Sequence, residues 1–262
     1  MRGSYAKRAI SVWMELTVMC PKLVIAKTAA DAAIAAARLF RETALKEVSR
    51  KGFFAAAISG GETPRQMHRL LAEPLHLDSI PWKSVHIFWV DERYVPRDDP
   101  ASNYGAALED FIEKVPIPKG NVHPIPVCLE PARAAIAYEE SLSGFFSERG
   151  YAEPAFDLIF LGLGSDGHTA SLFPESVSDE KKSAKVESVL GGSPKVFRIT
   201  LTIPLINKAA RVAFLVTGKA KSDIVSRIMS GGSGLPAARV APETGELFWL
   251  LDKGAASALD MG

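Results

Sequence analysis

Asp157-Leu-Ile-Phe-Leu-Gly-Leu-Gly-Ser-Asp-Gly-His-Thr-Ala-Ser-Leu-Phe-Pro174 is the stretch whose reading decides the fold of this chain. Residues 158–161 form an apolar run with the length and character of a fully buried strand. The run breaks into Gly162, Gly164 and Gly167, which let the backbone turn sharply or approach a ligand closely. Asp166 and His168 stand at that break, where a parallel strand delivers side chains to its carboxyl end. Ligands of open α/β sheets bind in the crevice at that edge. The plainer reading of the same residues is a strand-to-loop turn with incidental polar groups, so the surrounding chain has to decide.

On the N-terminal side, Leu23-Val-Ile-Ala26 reads as a short strand, and Thr28-Ala-Ala-Asp31 as a capping box opening a helix that Gly52 can close. Residues 53–58 are a second buried strand, running into Ser59-Gly-Gly-Glu-Thr-Pro-Arg-Gln66. There Thr63 is the expected N-cap, Pro64 the first helical residue and Gln66 the partner in a capping box. A strand, two glycines and a helix N-terminus in succession make an anion cradle. Residues 85–90 are a third strand, ending in Asp91-Glu92-Arg93, which is either a solvated ion-pair cluster or part of a site. Asp99 and Pro100 predict a helix start that places Asn103 and Tyr104 early in the helix.

Residues 131–149 are helical in pattern. On the C-terminal side of the opening stretch, residues 176–194 are polar and aperiodic, the signature of a long surface loop that would act as a flap. Residues 195–202 alternate like a half-buried strand, and 211–218 form another buried one. Gly218-Lys-Ala-Lys221 then enters a helix, and 247–251 is a final strand. Strands alternating with helices predict a doubly wound α/β fold, a mostly parallel sheet with helices on both faces. It would occupy residues 21–262 as a single domain, with residues 1–20 an N-terminal extension.

Composition narrows the function classes. The net charge of the 262 residues is +1, which gives no electrostatic case for nucleic acid or an anionic membrane as partner. Attraction for an anionic substrate must therefore be local. Cys20 and Cys128 offer neither a disulfide framework nor zinc-ligand spacing, which suits a reducing cytoplasm. The five histidines form no cluster, so neither a metal nor another cofactor is expected. Arg2, Lys7 and Arg8 ahead of residues 9–20 loosely imitate a signal peptide, but Glu15 interrupts the apolar run and no small-x-small site follows. No apolar stretch has the length of a membrane span.

Four strand ends thus carry chemistry: Ser59-Gly-Gly, Asp91-Glu-Arg93, Asp166-Gly-His168 and Gly218-x-x-Lys221. In a parallel sheet all four open on one edge. Histidine titrates near neutrality and suits a general base, and an aspartate two residues away can orient it. No serine or cysteine sits in a nucleophile elbow, so water activated by His168 is the simpler nucleophile. Lys221 and the Ser59-Gly60-Gly61 turn would hold a phosphate away from the reacting carbon. The plainer alternatives make His168 a turn residue and Lys219 and Lys221 surface lysines. Gly162-Leu-Gly-Ser-Asp-Gly167 also matches the dinucleotide pattern Gly-x-Gly-x-x-Gly. Asp166 would set a negative charge beside a pyrophosphate, and Pro174 cuts off the helix that should follow, so that reading is set aside.

Taken together, Ser59-Gly-Gly-Glu-Thr-Pro64, Val90-Asp-Glu-Arg-Tyr-Val-Pro96, Ser102-Asn-Tyr104, Leu161 to Pro174, Arg198-Ile-Thr-Leu-Thr202 and Leu235-Pro-Ala237 resemble the 6-phosphogluconolactonase family of the pentose phosphate pathway. The match runs in the family's order over about residues 22–258, and Asp166-Gly-His168 through Pro174 is its most diagnostic part. The resemblance implies metal-independent hydrolysis of a small sugar-phosphate lactone, 6-phospho-D-glucono-1,5-lactone, by a cytoplasmic monomer or weak dimer. It implies His168 as general base, Asp166 as its orienting partner and Arg93 as stabiliser of the carbonyl oxygen. Ser59, Gly60, Gly61, Thr63, Asp91, Asn103 and Lys221 would bind the substrate. A related group, the glucosamine-6-phosphate deaminase/isomerases, shares the Ser-Gly-x-Thr-Pro turn and the Asp-Gly-His loop. It carries a glutamate just before the loop-closing proline, where this chain has Phe173. A non-catalytic sugar-phosphate sensor on the same fold is the third reading.

Overall fold

A computed structural model describes residues 21–175, 184–232 and 234–260. The predicted extension of residues 1–20 lies outside the described residues. The described residues form ten strands: β1 (Lys22–Ala26), β2 (Phe54–Ile58), β3 (Val85–Trp89), β4 (Asp91–Arg93), β5 (Val122–His123), β6 (Leu158–Leu161), β7 (Val186–Gly191), β8 (Val196–Leu201), β9 (Arg211–Val216) and β10 (Glu246–Asp252). The α-helices among them are α1 (Ala29–Lys51), α2 (Glu62–Leu71), α3 (Pro74–Leu77), α4 (Asn103–Asp110), α5 (Pro131–Ser147), α6 (Ile203–Asn207) and α7 (Ser222–Met229). Seven strands form one sheet in the order β1-β10-β9-β6-β2-β3-β5, and every pairing in it is parallel. This is the doubly wound α/β class that the alternation of strands and helices predicts.

The central strands are buried because their residues are apolar throughout. β2, Phe-Ala-Ala-Ala-Ile, is buried along its whole length, and its alanines share one core with the buried alanines of α1. Helix α1 begins and ends as the sequence predicts. Thr28 and Asp31 form the capping box, and Gly52, at φ 85°, donates its N–H to Val48 O at 2.9 Å. One buried charge ties this layer together. The Asp157 carboxylate accepts the Ala55 N–H at 2.8 Å and pairs with Lys51 Nζ at 2.8 Å. Burial pushes this carboxyl up from its ordinary value, and those same two donors oppose the shift.

Four local expectations are corrected. Residues 91–93 do not merely end the third strand. The chain leaves the main sheet after Trp89, and Asp91–Arg93 pairs antiparallel with β8 in a second sheet of order β4-β8-β7. The polar stretch 176–194 is not a loop throughout, since Val186–Gly191 pairs with β8 along its length. Residues 176–183 lie outside the described residues. Strand β7 escapes pattern reading because Glu187 and Ser188 are half-buried polar residues, and its start is held by Glu139 of α5 accepting from the Lys185 and Val186 N–H groups. Helix α2 starts at Glu62 with Gly61 as N-cap, so neither Thr63 nor Pro64 holds its predicted place. Helix α4 starts at Asn103 with Ser102 as cap, while Asp99 instead accepts from the Ala101 N–H at 2.7 Å.

His68, on the buried face of α2, stacks on Phe111 with ring centroids 5.2 Å apart, and neither of its ring nitrogens has a hydrogen-bond partner among the described residues. Burial pushes its pKa down to about 4, assisted by Arg65 and Arg69 and opposed by Asp110. The unfolded chain takes up this proton near pH 6.5 while the folded one refuses it until about pH 4. Stability is therefore full above pH 6.5 and falls as acid is added through that window, by about 3 kcal/mol for this residue. Chemical denaturation between pH 7 and 4 should show a flatter profile for His68→Phe than for the wild type. Parallel profiles would contradict the assignment.

Candidate active site

The site follows from the order of the strands. From β2 the chain winds through β3 to the β5 edge, returns to β6 beside β2, and then winds the other way through β9 and β10. The direction of winding reverses between β2 and β6, and a crevice opens at their carboxyl ends. Ser59-Gly60-Gly61 leaves β2 there, and Gly162 to His168 leaves β6. The Ser59 hydroxyl donates to the Phe160 carbonyl at 2.7 Å and pins the two strand ends together. The crevice is a cavity of about 330 Å³. Every site residue expected from the sequence except Asp166 lines it. Asp166 stands behind His168.

Close approach explains two of the glycines. A Cβ on Gly60 would overlap the Asn103 side-chain amide, and one on Gly164 would overlap both the His168 ring and the Asp166 carboxylate. The His168 Nδ1 lies 2.6 Å from Asp166 Oδ1, which also accepts the His168 backbone N–H at 3.1 Å. Partial burial alone would raise the Asp166 carboxyl, but the hydrogen bonds and charge of His168 hold it below the ordinary value. An ionised carboxylate at Nδ1 selects the tautomer with Nδ1–H and leaves a lone pair on Nε2. Nε2 has no hydrogen-bond partner among the described residues. The ring rests on Phe173, with centroids 4.9 Å apart.

The Asp91-Glu92-Arg93 stretch is not an ion-pair cluster. The buried Glu92 carboxylate accepts the Arg93 N–H at 2.8 Å, the Asn103 N–H at 2.8 Å, the Tyr104 N–H at 2.7 Å and the Ser102 hydroxyl at 3.1 Å. It therefore closes the N-terminus of α4 with a negative charge. Burial raises its pKa, and those backbone donors oppose the rise. Asp91 accepts the Ser171 hydroxyl at 2.6 Å. With both acids engaged elsewhere, the Arg93 guanidinium donates, among the described residues, to the neutral oxygens Ala101 O at 2.8 Å and Asn103 Oδ1 at 3.0 Å.

On the opposite wall, Thr63 meets Thr217 with hydroxyl oxygens 2.9 Å apart, and no side chain caps the N-terminus of α2. The side chain of Lys221, in a single turn of 3₁₀ helix after β9, makes no hydrogen bond or ion pair among the described residues. The cavity thus has cationic walls with a free helix N-terminus between them. Sequence reading missed Arg198, which also lines the cavity and is 8% exposed. Arg198, Ile199, Thr200 and Leu201 of β8 are all buried, so no alternation of burial singles it out. Among the described residues no group of three or more His, Cys, Asp or Glu could hold a metal ion, and no helix is long and apolar enough to cross a membrane.

Residues 27–249 match the family described as glucosamine-6-phosphate isomerases/6-phosphogluconolactonase. The chain belongs to this family. A 6-phosphogluconolactonase of Synechocystis sp. is 40% identical over 218 residues, covering 82% of this chain and 88% of the relative. The structure of 6-phosphogluconolactonase from Trypanosoma cruzi superposes with a TM-score of 0.80 at 30% identity, covering 90% of this chain and 96% of that one. A monomeric glucosamine-6-phosphate deaminase matches with a TM-score of 0.77 at 19% identity, covering 90% of this chain and 99% of that one, which shows the shared fold. Membership of the family makes the support of Arg93 and Asn103 by Glu92 a testable feature. Glu92→Gln should lower stability by about 2–3 kcal/mol, because a buried carboxylate accepting several N–H groups is replaced by an amide with one acceptor. Hydrogen exchange at the Asn103 and Tyr104 amides should quicken. Unchanged exchange would show that Glu92 does not hold the start of α4.

Proposed function

We propose that this chain hydrolyses 6-phospho-D-glucono-1,5-lactone to 6-phosphogluconate, with water as the nucleophile and His168 as general base. The observation that carries the mechanism is the Asp166–His168 contact at 2.6 Å, which occupies Nδ1 and leaves Nε2 to take a proton. The activity is the one for which the relative 40% identical is named. Water attacks the lactone carbonyl carbon while Nε2 accepts its proton. The tetrahedral oxyanion then re-forms the carbonyl, the ring C–O bond breaks, and the leaving ring oxygen takes the proton back from His168. Asp166 balances the imidazolium in between.

Two negative charges must be met, the standing charge of the phosphate and the transient charge of the oxyanion. Arg93 and Lys221 supply the cations, with the Gly60-Gly61 turn and the N-terminus of α2 between them. Asn103 and Asp91 act by holding Arg93 and the wall around it, and Ser59 and Thr63 by fixing the strand ends and the opposite wall. Phe173 supports the lactonase over the deaminase reading, since a phenyl ring rather than a carboxylate lies against His168. A ring-opening acid–base relay that needs a glutamate there would lack it. Every group the reaction uses comes from one chain, which fits a monomer or weak dimer, and the cysteine usage fits the cytoplasm.

The test generates the lactone in situ and follows its loss above the spontaneous rate. His168→Ala should lower kcat by about 10²–10⁴. Asp166→Asn should fall between it and the wild type, and Lys221→Ala should act mainly on KM. Loss of lactone no faster than without protein, or unaltered in His168→Ala, would sink the proposal. Ammonia released from glucosamine 6-phosphate would favour the deaminase, and binding without turnover of either compound the sensor.

A further inference from the structure

Asp252 is a buried acid with no part in the reaction as written. It ends β10, where the apolar run of residues 247–251 stops, and it is 8% exposed. A carboxylate taken that far out of water must be met by donors. Among the described residues it is in no ion pair. Backbone N–H groups meet it instead. The Gly218 N–H donates to Oδ1 at 3.0 Å and to Oδ2 at 3.1 Å, and the Ala255 N–H to Oδ1 at 2.7 Å.

Gly218 is the residue from which the Lys221 wall of the cavity is built. Strand β9 ends at Val216, and after Thr217 the chain passes through Gly218 at φ 93° into the 3₁₀ turn Lys219–Lys221. That φ favours glycine. The Lys221 N–H closes the turn on Gly218 O at 3.0 Å, and no side chain of the turn caps it. Its entry is fixed from outside. Thr217 meets Thr63 of α2 on one side, and Asp252 takes the Gly218 N–H on the other. Leu251 of β10 lies beside Val216 of β9, so the next residue, Asp252, falls at the start of the turn. The chain beyond β10 closes on the same backbone, since a Cβ on Gly254 would come within 2.9 Å of Lys219 N. The Lys221 side chain has no hydrogen bond of its own among the described residues, so the backbone of this turn sets its place in the cavity.

We propose that Asp252 is a positioning residue for Lys221, holding the Gly218 turn at the angle that carries the lysine into the cavity. This rests on the lactonase reading, in which Lys221 meets the phosphate of the substrate. It adds to that reading a residue that does not line the cavity. If the sheet alone were served, an apolar residue could continue the run of β10. An acid is useful here because both of its oxygens accept one N–H in charge-assisted hydrogen bonds, which fixes the direction of that amide. An asparagine offers a single acceptor oxygen and turns an NH₂ toward the same donors.

The test is a cycle of Asp252→Asn and Lys221→Ala, alone and together, with 6-phosphogluconolactone generated in situ. Asp252→Asn should raise KM about threefold to tenfold, the loss expected for one hydrogen bond to a charged group, with kcat changed by less. In the Lys221→Ala background the same substitution should leave KM where it was, because no cation remains to be placed. The thermal midpoint should fall equally in both backgrounds, which separates the effect on the fold from the effect on the site. Equal rises in KM with and without Lys221, or no rise in either, would overturn the proposal and make Asp252 a residue of the fold alone. Gly254→Ala presses on the turn at Lys219 and leaves the acid in place. It should show the same coupling to Lys221, and it decides the question if Asp252→Asn does not fold. The cycle can also be read without turnover, from the concentration of inorganic phosphate that gives half the rise in thermal midpoint. Coupling there in a wild type that hydrolyses no lactone would retain Asp252 and reject the lactonase. A wild type that neither hydrolyses lactone nor is stabilised by phosphate would overturn both.

Discussion

Two neighbouring parallel strands, β2 and β6, from which the chain winds in opposite directions, impose the constraint on which the site depends. Nothing in the sheet covers the gap at their carboxyl ends, so the loops leaving them must form its walls. Ser59 spans the gap by donating to Phe160 O and fixes the spacing of those loops. The two loops then accept tight contacts that only glycine permits, Gly60 against Asn103 and Gly164 against the Asp166–His168 pair. Catalytic geometry and strand order are therefore linked. A side chain at Gly60 would overlap Asn103, and one at Gly164 would overlap the Asp166–His168 pair.

The second organising feature is the separation of charge around that gap. The whole chain carries a net charge of only +1, yet the cavity walls present Arg93, Arg198 and Lys221. Glu62 and Asp91 line the cavity as well, and the two acids nearest the arginines are hydrogen-bonded within the protein. Glu92 is occupied by three backbone N–H groups and a hydroxyl, and Asp91 by Ser171. Acids so engaged form no ion pair with the adjacent arginines among the described residues, although their charge still acts on Arg198. The small antiparallel sheet serves the same end, since it carries Arg93 and Arg198 on adjacent strands away from the main sheet.

How much of this is legible in the sequence depends on whether the cause is local. Leu158 to Leu161, the alanines of α1 and the Thr28–Asp31 box are read correctly because burial and capping depend on residues a few positions apart. Asp166 and His168 are legible for the same reason, their contact being set within one glycine turn. Helix starts fail where a tertiary contact competes. Thr63 would cap α2 if its hydroxyl were not engaged with Thr217, far along the chain, and α4 starts where Glu92 can reach its first amides. Strand β7 and the inward place of Arg198 are set by cross-strand pairing, which no window of sequence contains.

Phe173 connects these themes. It lies immediately before the proline that closes the catalytic loop, against His168 on one side and within reach of the Arg198 guanidinium on the other. A carboxylate at this position would bring a negative charge close to the Arg198 guanidinium. It would also put a second carboxylate beside the histidine, in addition to Asp166. An apolar ring does neither. Arg198 is left without an ion pair and His168 Nε2 without a hydrogen-bond partner among the described residues, and the proposed site rests on both.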